Sequence, residues 1–72
     1  MKNEVIEWLA TKVDMDPKEI EADMAIAELG ITSLKMLEYI VDFEIHFDIK
    51  VSDREMNNIY TVQDLIDLLD GK

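Results

Sequence analysis

The chain contains no cysteine, only two glycines and a single proline among its 72 residues. Without cysteine it can form neither a disulfide nor a thiolate metal site, and any thiol that it uses must come from another molecule. So few turn-forming residues argue against an all-β fold, and a hydrophobic content of 49% argues against a disordered chain. Composition therefore predicts a compact helical protein, and the length predicts a single domain over residues 1–72.

Basic residues are also scarce, because 17 Asp and Glu outweigh seven Lys and Arg and give a formal net charge of -10. This charge repels phosphates, so we expect no nucleic-acid partner, and it favours a basic protein partner. It equally fits a solvated surface that keeps a small domain monomeric. The sequence has no apolar run long enough for a signal peptide or a membrane span, which predicts a cytoplasmic protein without stable membrane insertion.

Hydrophobic spacing predicts an all-α four-helix bundle with three main helices, one short helix and a long first loop. The first helix is expected from Asn3, its predicted N-cap, to about Lys12. Residues 14–32 form the long loop. The second helix is expected from Ser33 to Asp48, a run without glycine or proline.

Capping signals predict the other two helices. Ser52 and Glu55 have the spacing of a capping box, so a helix of about a turn and a half is expected to begin at Asp53. Thr61 is the predicted N-cap of the last helix, and Gly71 is expected to end it. Its predicted buried stripe comprises Val62, Leu65, Ile66 and Leu69.

The second helix carries two separate apolar stripes. The first holds the aromatic residues and is expected to face the core; it comprises Met36, Tyr39, Ile40, Phe43 and Phe47. The second, which we call the aliphatic strip, comprises Leu34, Leu37, Val41 and Ile45. Leaving such a side chain fully exposed forfeits about 1.5 to 3 kcal/mol. Either the long loop covers the aliphatic strip or the strip is a docking surface for another protein.

Ser33 stands where the second helix begins. Its hydroxyl either caps the helix, for which Thr32 is the other candidate, or carries a phosphate group that the positive end of the helix dipole stabilises. Nucleophilic catalysis is disfavoured, because the only histidine, His46, lies far along the helix on its other side. The D-M-D segment at 14–16 lacks the glycine and the terminal glutamate of a calcium loop. We therefore predict no catalytic residue and no metal site.

Three segments carry a resemblance to the acyl carrier protein family: E-L-G-I-T-S-L-K-M-L-E-Y-I-V, F-E-I-H-F-D-I-K-V and T-V-Q-D-L-I-D-L-L. The resemblance covers the chain from Val5 to its end. It implies a non-catalytic four-helix bundle that carries acyl groups as thioesters on 4'-phosphopantetheine, attached to Ser33 by a phosphopantetheinyl transferase from coenzyme A with Mg²⁺. The thiol of that arm would explain the missing cysteine. The acyl chain would shelter inside the bundle, near Met36, Ile59 and Leu65.

The resemblance also implies a partner surface on the second helix. Hydrophobic contacts with acyl-ACP synthetase, synthase and transferase enzymes correspond to Leu34, Leu37 and Val41. The acids that such enzymes recognise with basic surfaces correspond to Glu38 and Glu44. An apolar strip would then supply binding free energy, and the charged rim would orient the partner.

Several positions depart from the pattern of the family. Thr32 stands where an aspartate usually precedes the serine, and Lys35 stands where an acid is common. Ile45 and His46 replace part of an acidic run. These departures make a specialised acyl or polyketide-type pathway as consistent with the sequence as fatty-acid synthesis.

A function of another class also fits the pattern. In that interpretation the chain is an unmodified acidic helical adaptor, whose serine is only a helix cap. The second helix would then bind one basic protein partner through the aliphatic strip.

Overall fold

The computed structural model describes the backbone of residues 2–71 and the side chains of residues 4–71, and within this range it contains four α-helices. These are α1 (Lys2–Val13), α2 (Ser33–Phe47), α3 (Asp53–Asn57) and α4 (Val62–Asp70). The all-α four-helix prediction is confirmed. The long loop between α1 and α2 also contains two short 3₁₀ helices, Pro17–Glu19 and Ile26–Leu29, which hydrophobic spacing did not predict.

The ends of the first two helices differ slightly from the prediction. Helix α1 begins at Lys2, so Asn3 lies inside the helix and the prediction of Asn3 as its N-cap is wrong. Hydrophobic spacing identifies the buried face of a helix, but it does not fix the residue at which the first turn starts. Helix α2 ends at Phe47, and Asp48 is its C-cap in the left-handed conformation, with φ of 55°.

The predicted caps of α3 and α4 are confirmed. The backbone N–H of Glu55 donates to Ser52 Oγ at 3.1 Å, and the backbone N–H of Ser52 donates to Glu55 Oε1 at 3.0 Å. The Thr61 side chain accepts from the backbone N–H of Asp64 at 3.2 Å, and Gly71 is the C-cap of α4. The Thr61 side chain therefore sets the start of α4, and at its end the backbone N–H of Gly71 donates to the Asp67 carbonyl.

The core joins α1, α2 and α4 through large apolar side chains. Trp8 on α1 meets Phe43 on α2 edge to face, with ring centroids 5.2 Å apart, and Phe43 contacts Phe47 at 4.7 Å. Such aromatic contacts add to the free energy gained by burial. The aromatic stripe of α2 therefore faces the core as predicted. The largest fully buried side chains are Phe43, Leu9, Leu65, Val5 and Val62.

Backbone hydrogen bonds tie the long loop to the start of α4. The N–H groups of Val62 and Gln63 donate to the carbonyls of Met24, at 3.0 Å, and Ala22, at 2.8 Å. These are N–H groups that the first turn of a helix cannot satisfy itself. The loop therefore packs on the α4 side of the bundle and satisfies the donors of that helix.

The carboxylate of Asp64 completes this junction, and its pKa is lowered. The main cause is the hydrogen bond from the Tyr60 N–H at 2.8 Å, and the Thr61 N–H adds a second at 3.0 Å, while partial burial acts in the opposite direction. We expect Asp64→Ala to lower the free energy of unfolding by about 1 to 2 kcal/mol at neutral pH, because both donors lose their acceptor. Because the pKa of Asp64 is lower in the folded state, its ionised carboxylate stabilises the fold at pH values above the unfolded-state pKa of about 3.9. This stabilisation is lost as the pH falls through the folded-state pKa.

Urea unfolding at several pH values tests this expectation. The difference between wild type and Asp64→Ala should persist at mildly acidic pH and shrink below about pH 4. Asp70→Ala is the matched control, since Asp70 is an exposed carboxylate at the other end of α4. Equal destabilisation by both variants would contradict the assigned role of Asp64.

Candidate functional site

A glycine turn and a threonine cap set the start of α2. Gly30 adopts the left-handed conformation, with φ of 80°, which is easily accessible to glycine. Ile31 is buried and anchors the chain immediately before the helix. The Thr32 side chain then accepts a hydrogen bond from the backbone N–H of Lys35 at 3.2 Å. Thr32, not Ser33, is therefore the N-cap, which decides between the two hydroxyls that the sequence left open.

Because Thr32 caps the helix, the Ser33 hydroxyl has no structural task. Ser33 is the first residue of α2 and is exposed. Within the described part of the chain, its Oγ takes part in no hydrogen bond. This hydroxyl is thus accessible to an enzyme and available for covalent modification.

The backbone around Ser33 favours a negatively charged group. The N–H groups of Ser33 and Leu34 belong to the first turn, which has no intrahelical acceptor for them. At the start of α4, by contrast, the loop carbonyls fill the equivalent positions. The first turn of α2 contains no acidic residue. A phosphodiester on Ser33 would therefore lie at the positive end of the dipole of a 15-residue helix, next to unsatisfied donors.

A cavity of about 290 Å³ opens beside Ser33. Its lining is mostly apolar and includes two of the three residues predicted to shelter an acyl chain, Met36 and Ile59. Leu65, the third, is fully buried in the core and does not line this cavity. Leu65 lies in the bundle centre, and its part in sheltering an acyl chain stays a prediction. Further lining residues are Ile26, Ile31, Leu37, Met56 and Tyr60.

The aliphatic strip of α2 faces outward, so the long loop does not cover it. The exposed fractions are 72% for Leu34, 48% for Leu37, 54% for Val41 and 75% for Ile45. Tyr60, at 68%, is also exposed and lines the same cavity as Leu37. An uninterrupted row of exposed aliphatic side chains on one helix is typical of a protein interaction surface.

The three carboxylates of α2 all have partners within the chain. Glu38 Oε2 lies 3.5 Å from Lys35 Nζ, and Asp42 Oδ2 lies 2.9 Å from Lys12 Nζ. Glu44 is half-buried, and its Oε2 accepts from the backbone N–H of Val51 at 2.8 Å. Sequence reasoning identified Glu38 and Glu44 as candidate recognition acids, but it did not anticipate these internal partners.

His46 is remote from Ser33 and contacts the neighbouring aromatic ring. Both residues lie on α2, separated along its axis by about 20 Å at 1.5 Å per residue. The His46 ring meets Phe47 edge to face, with centroids 4.6 Å apart. Over the described side chains, there is no group of three or more His, Asp or Glu placed to hold a metal ion. No helix in the described range is long and apolar enough to span a membrane.

Comparison with known proteins agrees with this arrangement. The family model described as a phosphopantetheine attachment site matches residues 3–69. An acyl carrier protein homolog of Mycoplasmopsis pulmonis is 39% identical over 67 residues, covering 92% of each chain. The acyl carrier protein of Micrococcus luteus is 33% identical, covering 97% of this chain and 93% of its own. The crystal structure of a Thermotoga maritima acyl carrier protein superposes with a TM-score of 0.80 at 26% identity, covering 100% of this chain and 91% of that one.

Fold and family model together define a helical domain for phosphopantetheine attachment. With relatives at these identities and coverages, the chain belongs to the acyl carrier protein family. Its prosthetic group is a covalently attached 4'-phosphopantetheine, and it is a non-catalytic carrier. Acyl carrier proteins are in general the partners of phosphopantetheinyl transferases and acyl-handling enzymes. The exposed hydroxyl and free first-turn N–H groups at the start of α2 fit such a group.

Proposed function

We propose that Ser33 is the attachment residue and that the chain carries acyl intermediates as thioesters, in fatty-acid synthesis or in a specialised acyl or polyketide-type pathway. When attached, the arm supplies the thiol that this cysteine-free chain lacks. The observation that carries the proposal is the division of labour between two adjacent hydroxyls. Thr32 caps α2, and this leaves Ser33 exposed and without a hydrogen bond in the described structure.

The attachment step requires only an accessible hydroxyl from this protein. In a phosphopantetheinyl transferase with Mg²⁺, Ser33 Oγ would attack the phosphorus of coenzyme A that bears the pantetheine. The Oγ–P bond forms as the bond to the departing 3',5'-adenosine bisphosphate breaks, and the hydroxyl proton is lost to a base of the transferase. The N–H groups of Ser33 and Leu34 would then stabilise the phosphodiester charge.

The cavity beside Ser33 and the aliphatic strip have distinct tasks in this proposal. The cavity is adjacent to the attachment point and mostly apolar, so it suits the first methylenes of a bound acyl chain. The aliphatic strip presents Leu34, Leu37 and Val41 to the transferase and to acyl-handling enzymes. We propose that the chain acts as a cytoplasmic monomer that binds each enzyme briefly. The arm holds the acyl group close to the active site of the bound enzyme and raises its local concentration, so tight binding between the two proteins is not needed.

Intact-mass measurement tests the proposal directly. The protein is incubated with coenzyme A, Mg²⁺ and a broad-specificity phosphopantetheinyl transferase. We expect a gain of one phosphopantetheinyl group per chain and no second addition. An unchanged mass with several transferases would contradict the proposal and favour the unmodified acidic adaptor.

A further inference from the structure

The rim of the aliphatic strip is less acidic than the net charge of the chain suggests. Helix α2 has three carboxylates, and two of them, Glu38 and Asp42, form ion pairs with lysines. The third, Glu44, is half-buried and bonded to the Val51 N–H. A chain with a formal charge of -10 thus places two of its seven cations against carboxylates of the helix that exposes the aliphatic strip.

Lys12 and Lys35 make the electrostatic potential around α2 less negative even when their ion pairs with Asp42 and Glu38 are open. An exposed ion pair contributes little free energy and opens readily, and Lys35 and Glu38 have side-chain exposures of 59% and 63%. Steering, however, depends on the summed charge within about a Debye length. The charges of Lys35, Glu38, Lys12 and Asp42 sum to zero along this flank of α2, so of the three carboxylates of the helix only the half-buried Glu44 keeps a negative charge that no lysine offsets.

The aliphatic strip exposes a large apolar surface to a partner. Leu34 and Ile45, near its two ends, are each exposed by more than 70%, and Tyr60 extends the apolar surface across the cavity. Apolar side chains of this kind supply binding free energy that salt does not screen. Charge complementarity, by contrast, mainly sets association rate and partner choice.

Resting on the proposed function, we infer that Lys35 and Lys12 are specificity-determining residues that offset two of the three negative charges of this docking face. The partner that fits it is an acyl-handling enzyme with an apolar docking surface that is not ringed by lysine and arginine. Against an enzyme with a basic rim, the two lysines add like-charge repulsion and cancel the attraction of Glu38 and Asp42. This refines the expectation of basic partners that net charge and family resemblance suggested.

The test uses a phosphopantetheinyl transferase chosen for its basic docking surface and measures kcat/KM for modification of Ser33. Lys35→Met and Lys12→Met each free one carboxylate on the rim, and Lys18→Met, in the long loop, changes net charge equally. We expect the first two to raise kcat/KM by about threefold or more at an ionic strength of about 0.05 M and to lose the gain near 0.5 M. Lys18→Met should stay within about twofold of wild type at both.

Lys12 also lies over the Trp8 ring, at 5.6 Å, so circular dichroism should confirm that its variant is folded. The Lys35→Met result stands without this check, because the ion pair that it removes, between Lys35 and Glu38, is exposed on both sides. If Lys35→Met and Lys12→Met match Lys18→Met at low salt, the inference is wrong. A complete absence of modification in every protein, wild type included, would instead count against the proposed function.

Discussion

Ser33→Ala is expected to abolish phosphopantetheinylation completely and to leave the fold intact. The hydroxyl is the acceptor of the phosphoryl group, so its removal leaves nothing to modify. The side chain is exposed and makes no hydrogen bond in the described structure, and alanine is a better helix former than serine. The free energy of unfolding should therefore change by no more than about 0.5 kcal/mol. Intact mass and thermal unfolding measure the two effects on the same samples.

Thr32→Ala is the matched control, because it removes the adjacent hydroxyl. Thr32 caps α2, so its loss should lower the free energy of unfolding by about 1 kcal/mol while modification continues. The two variants thus reverse each other: one loses modification and keeps stability, the other loses stability and keeps modification. Modification that survives in Ser33→Ala but disappears in Thr32→Ala would transfer the attachment site to Thr32.

The second large effect separates the two apolar faces of α2. Phe43 is fully buried and contacts Trp8 and Phe47, whereas Leu37, six residues earlier on the same helix, is 48% exposed. Phe43→Ala should lower the free energy of unfolding by about 3 to 5 kcal/mol, because it leaves a cavity in the core. In a domain of this size, that loss is a large part of the total stability, which for most proteins is about 5 to 15 kcal/mol. Urea titration of wild type and variant measures it.

Leu37→Ala, in contrast to Phe43→Ala, should affect modification more than stability. Its loss of stability should be below about 1 kcal/mol, because half of the side chain already faces solvent. As a docking residue, it should lower kcat/KM for modification by about fivefold or more, which corresponds to about 1 kcal/mol. Strong destabilisation without a change in kcat/KM would mean that the aliphatic strip is part of the core.

Much of the bundle follows from local patterns. The capping box of Ser52 and Glu55 and the cap at Thr61 are interactions within four residues, so short sequence windows contain all that determines them. Helical periodicity likewise separated the aromatic stripe of α2, which faces the core, from the aliphatic strip, which is exposed. Periodicity alone could not decide whether the long loop covers the strip.

The features that sequence reasoning missed depend on contacts between distant segments. The first N–H groups of helix α4 donate hydrogen bonds to the carbonyls of Ala22 and Met24, and Lys12 forms an ion pair with Asp42, thirty positions away. No local pattern encodes a backbone carbonyl as a partner. The partner of Glu44 could not be predicted either, although Val51 is only seven residues away. The sequence allows this carboxylate to face solvent or to accept from the Val51 N–H, and the path of the chain after α2 decides for Val51.

The candidate site also has features that the sequence predicts and features that it does not. Ser33 could be selected from its position at a predicted helix start, and the resemblance to the acyl carrier protein family gave it a role. That Thr32 is the cap could not be decided beforehand, because both hydroxyls lie within reach of first-turn N–H groups. The ion pairs of Glu38 and Asp42 with lysines are visible only in the structure, and they change the kind of enzyme surface that we expect to dock on α2.

Peptide mapping of the enzymatically modified protein by tandem mass spectrometry tests the central claim most directly. The account predicts one phosphopantetheinyl group on the peptide spanning the start of α2, with fragment ions that place it on Ser33 and leave Thr32 unmodified. Fragment ions that locate the group on Thr32 or any other residue would contradict it.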